Sequence, residues 1–162
     1  GCGSGQFALL LAQFTKVRKI SGVEISPRLI ANSKELLLPY SNIETNFEVY
    51  NGIDLPHAVS ESDMIFMIDV LHHIPVANQE VFFTNVFAAM KPGANFIIKD
   101  IDGGSPWVLF NKVHDLVFSR EVGHEWSMEK VCDVSRTAGF KILETKKRRM
   151  YGYPHFTVVL TK

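Results

Sequence analysis

The chain is short of cysteine, of net charge and of long apolar runs, and each shortage removes a class of protein. Cys2 and Cys132 are the cysteines of the sequence. Such a pair supports neither a disulfide framework nor a zinc site, and a reducing cytosol fits that usage best. Seventeen basic and seventeen acidic residues leave a formal net charge of +0, so no global field draws the chain to nucleic acid or to an anionic membrane. No apolar run reaches the ~20 residues of a bilayer-spanning helix. No signal peptide is visible, although a chain that starts at Gly1 rather than Met says little on that point. Repeats, low-complexity segments and linkers are missing too. What is left is ordinary globular composition, 46% hydrophobic and 21% charged over 162 residues, enough for one domain with a sizeable core.

What is present begins at once. Gly1-Cys2-Gly3-Ser4-Gly5-Gln6 places glycines at alternate positions directly before an apolar helical pattern. Glycine allows positive φ and close approach of a ligand to the backbone. The helix that follows turns its free N–H groups and positive dipole end toward the loop. The arrangement reads as a cofactor cradle. Gln6 stands where a dinucleotide fingerprint needs its last small residue, so that spacing fails. The next acidic residue is Glu24, at the end of an expected second strand. A carboxylate there either accepts from a ribose diol or caps the helix opening at Ser26-Pro27, and the glycine loop upstream favours the ribose.

Phe7, Leu10, Leu11 and Phe14 recur at helical spacing, which predicts a first helix over 4–14. A strand is expected over 19–25. A second helix starts with Ser26 as N-cap and Pro27 at N1 and stops before Pro39. Residues 43–50 read as a strand and 51–56 as a loop. Met64–Ile68 is a continuous apolar run, the pattern of a strand buried on both faces. Val81, Phe82, Val86, Ala89 and Met90 predict the buried face of the next helix, closed by Pro92-Gly93. Phe96–Ile98 is a further buried strand, ending near Asp100-Ile101-Asp102. Ser127 caps a helix through Ala138, with Gly139 at C′. Strands over 140–147 and 156–161 follow, joined by a link too short for a parallel crossover, so they form an antiparallel hairpin. The alternation predicts a doubly wound α/β sheet with an antiparallel end.

Taken in order, the glycine loop, Glu24, Asp54 in Asn51–Pro56, Asp69-Val70-Leu71-His72-His73-Ile74-Pro75 and Met90-Lys91-Pro92-Gly93 resemble the class I S-adenosylmethionine-dependent methyltransferases over nearly the whole chain. The resemblance implies a Rossmann-like, mostly parallel sheet with an antiparallel C-terminal strand, and S-adenosyl-L-methionine as cofactor. It implies that Gly1, Gly3 and Gly5 hold the methionine end and Glu24 takes the ribose diol. Ile25 and Ile53 would sandwich the adenine, Asp54 would accept from its amine, and the backbone near Asp69 would face the methionine amino group. The family also has a first strand directly before the glycine loop. None precedes Gly1, so an N-terminally truncated methyltransferase-type domain over 1–162 is expected, with unpaired sheet edges where that strand belongs.

In open α/β sheets, ligands sit beyond the carboxyl ends of the strands. His72 and His73 follow the fourth strand of the family order and are candidate general bases, of which at most one faces an acceptor; the alternative is a local hydrogen-bonding role. No third ligand is placed to make them a metal site. Asp100, Trp107, His124, Tyr151 and His155 are candidate lining for the acceptor. Residues 106–118 read as a helix that either covers the site or packs on the sheet. Lys146-Lys147-Arg148-Arg149 is a solvated edge or, at the mouth of the site, a contact for an anionic acceptor. No Asn/Asp-Pro-Pro-Tyr-type motif follows the fourth strand, so a small-molecule acceptor is expected rather than nucleic acid. Two rival readings remain at this point: a nicotinamide-cofactor oxidoreductase, and a non-catalytic Rossmann-like binding domain.

Overall fold

The computed structural model describes residues 1–52, 54–105, 124–150 and 153–162. They fall into two compact units, Gly1–Ala58 and Val59–Lys162. In the first, helix α1 (Gln6–Phe14) leads to strand β1 (Lys19–Glu24), helix α2 (Pro27–Leu37) and strand β2 (Glu44–Val49). β1 and β2 pair in parallel, Lys19 opposite Glu44 through Glu24 opposite Val49. Each helix start has a local cause. Gly5 takes φ +84° as the N-cap of α1, a conformation that glycine alone adopts without strain. Ser26 caps α2 by accepting from the Leu29 N–H, with Pro27 following it. Ala8, Ile20, Ile30, Leu37, Ile43 and Phe47 form the buried core. Gly22 of β1 lets the Phe47 ring lie against the backbone, where a Cβ would be 2.6 Å from the ring.

The second unit opens with helix α3 (Ala58–Glu61, its first residue belonging to the first unit), strand β3 (Met64–Ile68) and a 3₁₀ turn, Leu71–His73. Helix α4 (Val76–Ala89), strand β4 (Asn95–Ile101), helix α5 (Met128–Ala138) and strands β5 (Lys141–Met150) and β6 (Tyr153–Thr161) complete it. The strand order is β3-β4-β6-β5. β3 is parallel to β4, and β6 is antiparallel to both β4 and β5. β3, β4 and β5 therefore run the same way, and their carboxyl ends share one rim. Along β4 and β6 burial alternates strictly: Phe96, Ile98, Asp100, Phe156, Val158 and Leu160 are buried, their neighbours half-buried. That is the period of a sheet with one well-covered face. On that face, Phe83 meets Phe96 and stacks on Trp126, while Phe87 and Phe96 meet Phe140.

Within the described residues the expected elements are present, with three differences. Of the face expected for α4, Val86 and the C-cap Met90 are buried, but Val81 is 57% exposed, and the buried stripe runs on through Gln79 and Phe83. β3 is buried only at Met67, and Met64 is 53% exposed, because β3 is an edge strand of its sheet. The last hairpin is longer than its apolar runs: β5 continues to Met150 and β6 begins at Tyr153, so the basic run and His155 are strand residues. Among the described residues β1 pairs only with β2, and β3 only with β4.

The chain leaves β4 through a tight neck. Gly103 N–H donates to the Trp126 carbonyl, and Asp102, 2% exposed, accepts from the Gly104 and Met128 N–H groups. A side chain at Gly103 would collide with the Glu125 carbonyl. The helix expected over 106–118 lies outside the described residues.

Phe83 is fully buried between sheet and helices. Phe83→Ala should lower the unfolding free energy by about 3–5 kcal/mol. A urea titration should show a lower midpoint at unchanged slope; an unchanged midpoint would remove Phe83 from the core.

Candidate active site

In the first unit the glycine loop is held by Glu24. Its Oε2 accepts from the Gly3 N–H at 3.1 Å and its Oε1 from the Ser26 N–H at 3.2 Å. Glu24 thus meets the capping alternative in part, while Ser26 itself caps α2. The Ser33 hydroxyl, fully buried, donates to the Gly3 carbonyl at 3.0 Å and also lies 3.0 Å from the Leu29 carbonyl. Gly3 has φ +56°, and a Cβ there would meet nothing within 4 Å. The space over the loop is open, and each Glu24 oxygen has a lone pair to spare. A Cβ on Gly5 would press on Ser33 at 3.0 Å. The start of α1 has no side-chain cap, leaving its dipole end to the loop. Gly1 and Cys2 both donate to the Val23 carbonyl at 2.8 Å. Burial raises the Cys2 thiol pKa, which makes it a poor nucleophile.

Ile25, next to Glu24, is 67% exposed, an unusual place for a large aliphatic. Asp54 is bracketed by Asn51, whose amide donates to its carboxylate and whose side-chain oxygen accepts from its N–H, both at 3.0 Å. Ile53, Trp107 and Tyr151 lie outside the described residues.

In the second unit the rim carries paired charges. Asp69 follows β3 with φ +54°, a left-handed conformation for a residue with a side chain. Its carboxylate takes both contacts of the Lys99 ammonium, at 2.8 and 2.7 Å, with His155 Nε2 at 4.0 Å. The His72 side chain, 9% exposed, sets Nδ1 2.6 Å from Asp100 Oδ1. Asp100 is 2% exposed, so it partners His72 rather than lining an open surface. Among the described residues Asp100 Oδ2 is a buried atom without a partner. Burial disfavours the His72 imidazolium, but the hydrogen bond and charge of Asp100, with smaller help from Glu125 and Asp69, outweigh it and hold the pKa above the ordinary 6.5. His73 is exposed, its ring 4.1 Å from that of His72. His124 is exposed and held by its backbone, its N–H 3.4 Å from the His72 carbonyl. His155 Nδ1 is 3.1 Å from the Tyr153 carbonyl. Lys147 bridges Asp102 at 2.8 Å and Glu129 at 2.9 Å. Those contacts, Asp102 first, raise the Lys147 pKa and lower that of Glu129.

The sequence reading missed Gln79. Fully buried in α4, its amide donates to the Leu71 carbonyl at 3.1 Å and the Ile74 carbonyl at 3.0 Å. It clamps the turn that carries His72. Its signal is a polar residue in phase with Phe83, Val86 and Met90. Ser33, between Ile30 and Leu37 on α2, is a second polar residue of this kind.

A family model described as a methyltransferase domain matches residues 1–93. The chain belongs to that family, and the fold is that of its class I, S-adenosylmethionine-dependent type. O-methyltransferase resE of Aspergillus sclerotiorum is 26% identical over 151 residues, covering 89% of this chain and 54% of that protein. The chain spans about half the length of the curated relatives it matches. A solved S-adenosylmethionine-dependent methyltransferase from Methanosarcina mazei superposes with a TM-score of 0.80 at 18% identity, over 100% of this chain and 89% of that one. Magnesium protoporphyrin IX methyltransferase from Synechocystis PCC 6803, solved with bound SAH, gives 0.78 at 16% identity, over 100% and 71%. Among the described residues, no group of side chains forms a metal site and no helix is long and apolar enough to cross a membrane.

Because the folded pKa of His72 lies above its ordinary 6.5, the protonated pair with Asp100 adds stability in full below that value. The contribution fades as pH rises through the folded pKa. His72→Gln should flatten the loss of stability that sets in as pH rises above about 6.5 in urea unfolding. Equal pH slopes for the two proteins would contradict the pairing.

Proposed function

We propose that this chain transfers the methyl group of S-adenosylmethionine to a small-molecule acceptor by in-line displacement, with proximity and orientation as the main catalytic device. The carrying observation is the open, glycine-lined loop over Gly3, closed at one side by the Glu24 carboxylate, with the exposed Ile25 next to it in sequence. Its donors and acceptors suit a ligand with a ribose diol, an aromatic base and an amino-acid end. Gly1, Gly3 and Gly5 hold the methionine end, and Glu24 accepts from the ribose. Ile25 and Ile53 flank the adenine, and Asp54 accepts from its amine. When bound, the cofactor supplies a methyl carbon already activated by its sulfonium.

The protein's remaining task is to align the acceptor, keep water out and, where the acceptor carries a proton, remove it. His72 suits that last role. Its Nδ1 is engaged by Asp100, which fixes the ring and stabilises the imidazolium formed when Nε2 takes the acceptor proton. His73, more exposed, is the second candidate. The names of the relatives support O-methylation among the available reactions. A soluble, cytoplasmic setting fits the lack of a spanning helix among the described residues.

Incubation with methyl-labelled S-adenosylmethionine and a panel of phenols, carboxylic acids, amines and thiols should label at least one class. Glu24→Ala should weaken S-adenosylhomocysteine binding by about 1–3 kcal/mol, the loss of charge-assisted hydrogen bonds. Unchanged affinity would take Glu24 out of the cofactor site.

A further inference from the structure

The carboxyl-terminal rim of the four-stranded sheet holds a cavity of about 210 Å³ lined by Ser105, Lys147, Arg148, Arg149, Pro154 and His155. Every charged group in that lining is basic, in a chain whose formal net charge is +0. The strand register explains the concentration. Arg148 sits opposite His155 and Arg149 opposite Pro154 in the β5–β6 ladder, and side chains alternate between the faces of a strand. Both faces of β5 therefore contribute cations to the same strand end. Lys147 is compensated by Asp102 and Glu129. Arg148 is exposed and has no acidic partner among the described residues. The Ser105 hydroxyl adds a donor, and a guanidinium presents a planar fork of N–H groups that matches an oxyanion in two contacts.

The cavity also reaches the ion pair at the end of β3. In the β4–β6 ladder Ile101 faces His155 and Asp100 faces Phe156, so His155 shares the half-buried face of the sheet with Lys99, while Asp100 lies on the covered face. His155 Nε2 is 4.0 Å from Asp69, the partner of Lys99.

We infer that this cavity binds an oxyanion, a carboxylate or phosphate, carried by the acceptor, so that the chain prefers acidic small molecules. The assignment to the acceptor rests on the methyl-transfer reading; the binding of an oxyanion does not. Specificity then comes from Arg148 and Arg149 at one end of the rim, and reaction from the groups around His72.

The test is calorimetric titration of the 162-residue chain with inorganic phosphate and, separately, with benzoate, at constant ionic strength set by chloride. Saturable binding of either probe is expected, and the stronger one identifies the oxyanion. Arg148→Gln with Arg149→Gln should weaken it about tenfold, and Arg→Lys at both sites should restore part of the loss. Circular dichroism of each variant confirms the fold. Binding no tighter than chloride, or affinity unchanged in the double glutamine variant, would overturn the inference. S-adenosylhomocysteine titrated into the same samples separates the two readings. Oxyanion binding without it would sink the methyl-transfer proposal alone, and the reverse would sink this one alone.

Discussion

A carboxylate that must satisfy two backbone N–H groups at once is the constraint on which the first unit depends. Glu24 ends β1 and reaches both Gly3 and Ser26. It thereby joins three pieces of local structure: the glycine loop before α1, the last residue of a parallel strand and the N-cap of α2. Ser33 holds the opposite side from beneath, with its hydroxyl on the Gly3 carbonyl. The loop is pinned at its donor and its acceptor, and the space above remains free. A binding cradle needs that division of labour, since its wall has to be rigid before the ligand arrives.

The second unit uses the same device with two lysine–carboxylate ion pairs and one histidine–carboxylate hydrogen bond. Asp69 with Lys99, Asp100 with His72 and Asp102 with Lys147 set alternating acidic residues, at or just beyond strand ends, against bases from other elements. Alternation along β4 sends Asp100 to the covered face and Lys99 to the half-buried one. Neighbours in sequence thus serve different partners. The buried Gln79 supports the turn between β3 and α4, so the position of His72 is set from two sides, by the amide under its backbone and by the carboxylate on its ring.

Much of this was legible in the sequence where the signal is local. The glycine loop, the Ser26-Pro27 start, the Ser127 cap and Gly139 with φ +106° are each written within a few residues. The phase of α4 was legible only in part, at Val86 and Met90. Apolar residues crowd its whole circumference, from Val76 and Val81 to Phe82, Phe83 and Phe87, so periodicity alone does not choose a buried side. Packing against Phe96 and Trp126 chooses Phe83 and leaves Val81 in water. The His72–Asp100 pair joins residues 28 apart, and only the parallel pairing of β3 with β4 brings them together. The ends of β5 and β6 are polar and aromatic rather than alternating, which hid three residues of strand on each side of the hairpin. Asp54 and Ile25 were singled out through a family resemblance, not through any pattern of their own.

The most direct test is a calorimetric titration of the chain with S-adenosylhomocysteine, run beside the same titration with NADH. The account predicts saturable, micromolar binding of the first and none of the second. Binding of NADH without S-adenosylhomocysteine would contradict it, because the glycine loop and Glu24 would then hold a different cofactor.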